Sequence, residues 1–316
     1  MKTAIGKDIA YAAELLKQGE IVGIPTETVY GLAANALFSD TVIKIFQAKD
    51  RPFFDPLIVH CKNMDDAAEY VGSIPSWAEA LTQSFSPGPL TLLLPKKQTI
   101  PDIVTSGLER VGIRIPSHPM LQELLSRLDF PLAAPSANPF GYISPTMSQH
   151  VYDQLQGKIP YILDGGQATI GVESTIVGEE EGKVIVYRLG GISVEQIEEL
   201  VGRVELRVSS SKPSAPGSLD SHYAPKIQLY IKDSQIQLSD KDAALICFRN
   251  YSSDIPQSNQ RILSHSGDLS EAAKNLFAYM RELDAGEYSG IYIELVPDSG
   301  LGRAINDRII RASTKC

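Results

Sequence analysis

Cysteine is scarce in this chain, and the usual groupings that identify a metal or catalytic site are missing. Cys61, Cys247 and Cys316 are scattered and form no CxxC pair, so neither a disulfide framework nor a zinc site is predicted. No P-loop, no GxGxxG turn that opens a helix after a strand, no HExxH and no GxSxG occurs. The common nucleotide-binding and hydrolase signatures are therefore absent.

Long apolar runs and an excess of basic residues are also lacking. The strongest apolar run, 89–95, is closed by prolines and is far shorter than a membrane span, so no membrane segment is expected. Residues 1–8 lack the apolar core of a signal peptide, and we expect a cytoplasmic protein. The net charge is −9, and the acidic excess lies wholly before residue 206. Stable nucleic-acid binding is therefore not expected, although local basic pockets are compatible with this balance.

The length and composition suit a globular protein of two domains. The chain has 316 residues, of which 43% are apolar and 21% charged, enough to bury a real core. Strand and helix patterns mix over 1–205 and predict one α/β domain. The stretch 209–218 is rich in Ser, Pro and Gly, which is linker composition. We therefore predict a catalytic domain at 1–205, a linker at 206–224 and a second α/β domain at 225–316.

Hydrophobic periodicity and turn residues predict the regular elements. Strands are predicted at 21–24, 57–59, 90–94, 111–115, 131–134, 161–163, 172–177, 184–188, 227–231, 243–248 and 290–296. Helices are predicted at 8–18, 63–71, 75–84, 147–156, 193–200, 270–284 and 303–312, with two more capped by Ser39 and by Ser117.

Polar residues concentrate where these elements end, most densely in 21–60. Strand 21–24 runs into the hydroxyl-rich turn 25–31, the next helix ends at Lys49 and Arg51, and a second strand leads to His60. Polar side chains at such ends are what a ligand pocket on an α/β sheet requires. Solvated loops could have the same composition.

Cations at element ends and in loops stand out in an otherwise acidic domain. They are Lys49, Arg51, Arg110, Arg114 and Arg188. Each alone could serve a helix dipole or a surface ion pair, and the nearby Ser136 and Asn138 could be turn residues. Together, the cations suit an anionic ligand with several phosphates. No obvious general base accompanies them, so chemistry by positioning and charge neutralisation is favoured over acid–base hydrolysis.

At the level of motifs, the chain resembles the YrdC-like threonylcarbamoyl-AMP synthases in their long form. The matching stretches, which cover nearly all of residues 10–205, are PTETVYGLAANA, KDRPFFDPLIVH, PGPLTLLLP, VGIRIPSHP, APSANPFGYISPT, GVESTIV and YRLGG. SHYAPK at 221–226 and GLGRAINDRIIRA at 300–312 resemble the end of the linker and the C-terminal domain of the long form.

The resemblance implies a fold and a reaction. The fold is a YrdC-like twisted mixed sheet with flanking helices and a central ligand cavity, followed by a small Rossmann-like α/β domain. The reaction is that of an L-threonylcarbamoyladenylate synthase, a nucleotidyltransferase that forms threonylcarbamoyl-AMP and pyrophosphate from L-threonine, bicarbonate or CO₂, and ATP. Mg²⁺ would arrive with ATP, and neither a tightly bound organic cofactor nor protein metal ligands are expected. A separate transferase complex would then modify tRNA, and we expect this chain to be a monomer.

The resemblance also assigns roles to residues by their place in the matched motifs. Catalysis is assigned to Lys49, Arg51, Ser136 and Asn138. Threonine binding is assigned to Thr28, His60, Arg114, Ala134 and Ser174. ATP binding is assigned to Arg51, Asp55, Arg110, Ser136, Ser144, Arg188 and Tyr223. Many family members carry Asn at the position of Asp55, so its contact is expected through its backbone, with Mg²⁺ or with adenine. The linker, with Tyr223 near its end, is expected to close over the cavity as a lid.

Two alternatives stay open at this level. An RNA-binding module is disfavoured by the acidic charge, and tight, salt-dependent binding of tRNA without threonine or ATP would support it. The carbamoyl-transfer domain of hydrogenase maturation factors resembles this fold, but those proteins add zinc-finger segments, and no CxxC occurs here. Turnover of carbamoyl phosphate without threonine would support that alternative.

Overall fold

The chain builds two β-sheets, one before residue 207 and one after residue 228. The computed structural model describes residues 2–207, 222–232, 238 and 240–314. We call residues 2–207 the N-terminal unit and the described residues from 222 onwards the C-terminal unit. The strands of the N-terminal unit are β1 (Ala4–Gly6), β2 (Val22–Ile24), β3 (Gly31–Asn35), β4 (Ile58–His60), β5 (Leu90–Pro95), β6 (Arg110–Arg114), β7 (Leu132–Ala133), β8 (Tyr161–Leu163), β9 (Thr175–Glu180), β10 (Lys183–Arg188) and β11 (Glu205–Leu206).

Helices flank this first sheet. They are α1 (Ile9–Lys17), α2 (Ser39–Lys49), α3 (Met64–Ala67), α4 (Ser76–Phe85), α5 (Asp102–Thr105), α6 (Pro119–Ser126), α7 (Ser148–Leu155) and α8 (Val194–Val201). Local sequence explains several of their ends. The Asp8 side chain caps α1 by accepting from the Tyr11 N–H at 2.9 Å, and Ser193 and Gln196 form a capping box at the start of α8.

The first sheet is mixed and, in the part of the chain described, has eleven strands in the order β1-β8-β2-β3-β7-β4-β6-β5-β9-β10-β11. Its middle strands β2, β3 and β4 are buried along their whole length. Strands β4 and β6 are parallel, and their register places His60 beside Arg114 at their carboxyl ends. The end of one pair of central strands thus carries two of the predicted site residues.

The C-terminal unit is a parallel sheet covered by helices. Its elements are β12 (Leu229–Ile231), β13 (Ala244–Cys247), a 3₁₀ turn (Gln257–Asn259), β14 (Gln260–Ile262), α9 (Leu269–Asp284), β15 (Ile291–Ile293) and α10 (Leu301–Ser313). The described strands lie in the order β12-β15-β13-β14, and every pair among them is parallel. The predicted fold class, a mixed YrdC-like sheet followed by a small Rossmann-like unit, is confirmed.

Some local expectations differ from the structure. Ser39 and Ser117 do not cap their helices: the N-cap residues are Phe38 and His118, and Ser39 is itself the first residue of α2. The predicted strand at 172–177 begins only at Thr175, which leaves residues 172–174 as a loop. Within the predicted linker, residues 208–221 lie outside the described part of the chain, so the domain limits stay a prediction.

The two units share buried apolar contacts. One hydrophobic cluster combines Val29, Ile143 and Val172 of the N-terminal unit with side chains of the C-terminal unit that include Phe277 and Ile309. Among the described helices, none is long and apolar enough to cross a membrane. Val29 of this shared cluster also lines a cavity, so the cavity and the cluster are adjacent.

Candidate functional site

A single cavity collects most of the residues that the sequence singles out. Its empty volume is about 580 Å³. The predicted site residues that line it are Thr28, Arg51, His60, Arg114, Ala134, Ser136, Arg188 and Tyr223. They come from the loop after β2, the loop after α2, the ends of β4, β6, β7 and β10, and residues just before β12. Segments far apart in sequence therefore converge on one cavity, which is partly open to solvent.

Arg114 lines one part of the cavity, and its carboxylate partner Glu27 does not line it. Arg114 Nη2 donates to Glu27 Oε1 at 2.7 Å, and both side chains are buried. Burial raises the pKa of Glu27, but the charge and hydrogen bond of Arg114 outweigh it and lower that pKa overall. Arg114 Nε and Glu27 Oε2 have no hydrogen-bond partner among the described residues. Of the two residues, Arg114 lines the cavity, so its Nε is the donor that this pair keeps for a ligand.

Small hydroxyl groups and a neutral imidazole surround this pair. The hydroxyls of Thr26 and Thr28 are 2.8 Å apart, and the Thr26 hydroxyl donates to the Val29 carbonyl. Burial, helped by the charge of Arg114, lowers the pKa of His60 to about 3. His60 is therefore neutral near pH 7, and its Nδ1 has no partner in the described part of the chain. This wall suits a small zwitterion with a hydroxyl group.

Arg51 and Arg188 make another part of the wall cationic. Arg51 Nη2 forms an ion pair with Asp55 Oδ2 at 2.8 Å, and its guanidinium donates to the carbonyls of Asp55 and Pro56. Asp55 is fully buried behind Arg51 and does not line the cavity. Burial raises the pKa of Asp55, although Arg51 and Lys49 oppose this. The predicted role of Asp55 at ATP therefore stays a prediction.

Arg188 is fixed by the loop before β9. Its Nε donates to the Ser174 carbonyl at 3.0 Å, and its Nη2 donates to the Ser174 hydroxyl at 2.9 Å. That hydroxyl is also 2.7 Å from the hydroxyl of Thr91. Ser174 does not line the cavity, so here it holds a cation in place.

Lys49 and Asn138 shape the loop that contains Ser136. Lys49 Nζ donates to the Ser136 carbonyl at 2.5 Å and to the Asn138 carbonyl. Asn138 Nδ2 donates to the carbonyls of Pro139 and Tyr142, each at 2.8 Å. Neither Lys49 nor Asn138 lines the cavity, whereas Ser136 does. Burial and the nearby charge of Arg51 lower the pKa of Lys49.

Arg110 is the predicted site residue that neither lines the cavity nor is buried: the other predicted residues that do not line the cavity, namely Lys49, Asp55, Asn138, Ser144 and Ser174, are all buried. It lies at the opposite end of β6 from Arg114. Its side chain is 27% exposed and pairs with Glu180 at 3.1 Å, and it also donates to the Tyr187 hydroxyl. Arg110 does not line the cavity, so its position does not support the predicted ATP contact.

Two residues before β12 close one side of the cavity. His222 and Tyr223 both line it. Tyr223 has a φ of 65°, which is uncommon for a bulky residue. Its ring stacks on Phe277 with centroids 5.4 Å apart, and the Ala224 N–H bonds to the Gly141 carbonyl at 2.8 Å. Of the lid predicted for 206–224, residues 208–221 lie outside the described part of the chain, so the lid stays a prediction.

The sequence does not single out Glu27, Glu173, His222 or Arg308, although all four lie in the matched motifs. Glu173 lines the cavity and accepts from the Ser144 hydroxyl at 2.6 Å. Arg308 Nε donates to its other oxygen at 2.7 Å. Ser144 does not line the cavity itself. Over the described residues, no group of three His, Cys, Asp or Glu side chains could hold a metal ion.

A cavity lined by arginines, small hydroxyl residues and a neutral histidine, beside a mixed sheet and a parallel α/β unit, defines a protein that binds small polar ligands. Residues 14–190 match the Sua5/YciO/YrdC family, described as "Telomere recombination". Residues 192–314 match the family described as "Threonylcarbamoyl-AMP synthase, C-terminal domain". The chain belongs to the Sua5/YciO/YrdC family, in its long form.

Named relatives match over nearly the whole chain. The threonylcarbamoyl-AMP synthase of Pyrococcus abyssi is 36% identical, with 96% of this chain and 94% of that protein covered. The threonylcarbamoyl-AMP synthase of Bacillus subtilis is 38% identical, with 96% and 92% covered. The structure of P. abyssi Sua5 complexed with L-threonine has a TM-score of 0.89 at 34% identity, with 99% of this chain and 97% of that chain covered.

Proposed function

We propose that this chain is an L-threonylcarbamoyladenylate synthase, an enzyme that makes threonylcarbamoyl-AMP and pyrophosphate from L-threonine, bicarbonate or CO₂, and ATP. The observation that carries the proposal is a single cavity whose lining has two chemically different parts. Arg114, Thr28 and His60 line it together with Arg51 and Arg188. An amino acid and a triphosphate could thus occupy adjoining parts of one site. Relatives of this name over nearly the full length support the same reaction.

The Arg114 wall suits threonine. A guanidinium is the preferred partner of a carboxylate, and Arg114 has an Nε without a partner among the described residues. Glu27 does not line the cavity, and its carboxylate holds the Arg114 guanidinium in place. The hydroxyl of Thr28 and the neutral ring of His60 offer hydrogen bonds to a side-chain hydroxyl. A substrate without that hydroxyl would leave buried polar groups unpaired, which disfavours it.

The Arg51 wall suits the triphosphate of ATP, taken up with its Mg²⁺. The neutral amine of threonine and CO₂ form a carbamate and release one proton to solvent; with bicarbonate, a water molecule is released instead. The carbamate decomposes readily in water, so a cavity that limits access of solvent protects it. A carbamate oxygen then attacks the α-phosphorus. The new P–O bond forms as the bond to the β-phosphate oxygen breaks, and pyrophosphate leaves. Arg51 and Arg188 neutralise the charge that this step redistributes, and no protein group has to accept a proton from the attacking oxygen.

The product would serve tRNA modification by a separate transferase complex. Its mixed carbamic–phosphoric anhydride is an activated group, ready for transfer to a nucleophile. The contacts with ATP and bicarbonate, the cytoplasmic location and the monomeric state stay predictions. The full-length relatives and the shape of the site support the synthase over the RNA-binding and carbamoyl-transfer alternatives.

Pyrophosphate release tests the proposal. The purified full chain with MgATP should release pyrophosphate only when both L-threonine and bicarbonate are present, and the adenylate should appear in equal amount by mass spectrometry. Two amino acids are matched controls: L-serine lacks the methyl group of threonine, and L-valine carries a methyl group in place of its hydroxyl. Pyrophosphate release that continues unchanged without threonine would show that the assignment is wrong.

A further inference from the structure

Arg308, on helix α10 of the C-terminal unit, reaches the cavity of the N-terminal unit. Its side chain is 0% exposed. Nε donates to Glu173 Oε2 at 2.7 Å, across a separation of 135 residues in the chain. Nη2 donates to the Leu189 carbonyl at 2.7 Å, and Nη1 donates to Asp307 at 2.5 Å. All three guanidinium nitrogens are therefore engaged.

Glu173 connects Arg308 to the cavity wall. Its carboxylate lines the cavity, and its second oxygen accepts from the Ser144 hydroxyl. Burial raises the pKa of Glu173, but the charges of Arg308 and Arg188 and the hydrogen bonds from Ser144 and Arg308 outweigh it and lower that pKa to about 2. Glu173 is therefore an anion with both oxygens held.

The other contacts of Arg308 also lie next to cavity residues. Leu189 directly follows Arg188, which lines the cavity. The guanidinium carbon of Arg308 is 5.1 Å from the centroid of the Tyr223 ring, close enough for a cation–π contact. One guanidinium thus touches three chain segments that border the cationic part of the cavity.

We propose that Arg308 is a positioning residue for the nucleotide side of the site. Through Glu173, Leu189 and Tyr223 it sets the places of Ser144, Arg188 and the aromatic wall. The C-terminal unit then completes the active site instead of merely adjoining it. The planar guanidinium of arginine donates hydrogen bonds to a carboxylate and to a carbonyl at the same time, and a lysine ammonium cannot donate to both in the same geometry. This inference rests on the proposed function for the identity of the nucleotide.

The variant Arg308→Lys and two ligands give the first test, in the full-length protein. The variant Arg308→Lys keeps the positive charge but loses the planar guanidinium and its arrangement of N–H donors. Since misplacement by about 1 Å can cost on the order of 100-fold in rate, we expect kcat/KM for ATP to fall 10- to 100-fold. Calorimetry should show weaker binding of a non-hydrolysable ATP analogue, while the Kd for L-threonine stays unchanged.

Arg308→Met leaves Glu173 as a buried charge without its partner, which destabilises a fold strongly. The double variant Glu173→Gln/Arg308→Met removes both charges together. We expect its Tm to lie closer to that of the wild type than that of Arg308→Met, while nucleotide binding remains weak. This separates a positioning role from a role in folding alone.

Arg303→Met is the matched control. Arg303 lies on the same helix and also bridges the two units, through an ion pair with Glu195 at 3.2 Å. Its ATP and threonine parameters should equal those of the wild type. Wild-type nucleotide affinity in Arg308→Lys, or equal loss of threonine and nucleotide affinity, would overturn the inference. If the wild type showed no threonine-dependent pyrophosphate release, the proposed function would fail, and the comparison of analogue binding would still decide the role of Arg308.

Discussion

Lys49 places one ammonium group between two backbone carbonyls, those of Ser136 and Asn138. A cation at an exposed helix end contributes little to stability, but Lys49 is only 1% exposed. The Asn138 N–H also donates to the Ser136 carbonyl, at 3.1 Å, whereas the Asn138 carbonyl has Lys49 as its donor among the described contacts. Lys49 is therefore a structural support of the site as well as a source of charge.

Replacement of Lys49 by Met should consequently affect both stability and activity. The two carbonyls would lose a charged hydrogen-bond donor, and we expect the free energy of unfolding to fall by about 1.5–3 kcal/mol. Pyrophosphate release should be lost, because the loop with Ser136 would move. Urea unfolding and the pyrophosphate assay measure the two effects. Lys44→Met, on the same helix but with a partly exposed side chain that pairs with Glu20, should change neither, and an equally stable Lys49→Met would contradict this role.

His60 should make stability depend on pH. Its pKa is lowered to about 3, chiefly by burial, whereas an unfolded histidine titrates near pH 6.5. Between these values the unfolded chain binds a proton that the folded chain does not. The free energy of unfolding therefore falls as the pH falls, by up to about 1.4 kcal/mol per pH unit for this residue.

The variant His60→Gln isolates that contribution. Urea unfolding at pH 7, 6 and 5 should show a shallower loss of stability for the variant than for the wild type. His150 and His222 also have pKa values lowered to about 3 by burial, so some pH dependence should remain. Identical slopes for the two proteins would mean that His60 can be protonated in the folded state.

At the scale of elements, the turn after β10 packs closely against residues 173–175, where β9 begins. The Gly191 N–H bonds to the Glu173 carbonyl at 3.0 Å, and the Thr175 hydroxyl donates to the Ile192 carbonyl at 2.7 Å. A Cβ at Gly190 would overlap the backbone of residues 173–175. The absence of a side chain at this position is what lets Glu173 and Ser174 sit where they do.

Gly190→Ala should therefore displace the segment that carries Glu173. We expect a loss of roughly 1–3 kcal/mol in the free energy of unfolding, as for overpacked cores, together with a large loss of activity. Gly72→Ala is the control, because a Cβ there would meet no atom closer than 3.8 Å. Differential scanning calorimetry and the pyrophosphate assay compare the two variants. A Gly190→Ala protein as active as Gly72→Ala would contradict the packing argument.

Which elements the sequence predicts depends on their composition. β5 reads LTLLLP and is found where its apolar run predicts. β3 reads GLAAN, which contains no β-branched or aromatic residue and so carries no strand signal. Its strand conformation comes from pairing with β2 and β7. The conformation of such a segment is decided by tertiary contacts, which a local sequence pattern does not contain.

The residues of the site can also be separated into those that the sequence reveals and those that it does not. Arg51, Arg114 and Arg188 are visible in the sequence as cations at the ends of elements, and all three line the cavity. The carboxylate partner of Arg114 is not visible, because Glu27 pairs with it across 87 residues. Charge partners so distant in sequence leave no spacing pattern. Only the motif resemblance points to the segments in which they lie.

For the whole molecule, the two units are joined by polar and apolar contacts around the site. Arg281 of α9 donates to the carbonyls of Ile143 and Ser144. The Tyr142 hydroxyl donates to Asp284 of the same helix. With the shared cluster that contains Val29 and Phe277, these contacts give the units a common interior. We therefore expect them to unfold together.

A substitution in one unit should then be detected by a probe in the other. Trp77, the single tryptophan of the chain, lies in α4 of the N-terminal unit and bonds to Glu179. Ile291→Ala in β15 truncates a fully buried side chain of the C-terminal unit, at a cost of about 2–5 kcal/mol. The urea midpoint from Trp77 fluorescence should fall together with the midpoint from circular dichroism. Leu295→Ala, at a 44% exposed position of the same unit, should move neither midpoint. A fluorescence midpoint that stays at the wild-type value in Ile291→Ala would mean that the units unfold independently.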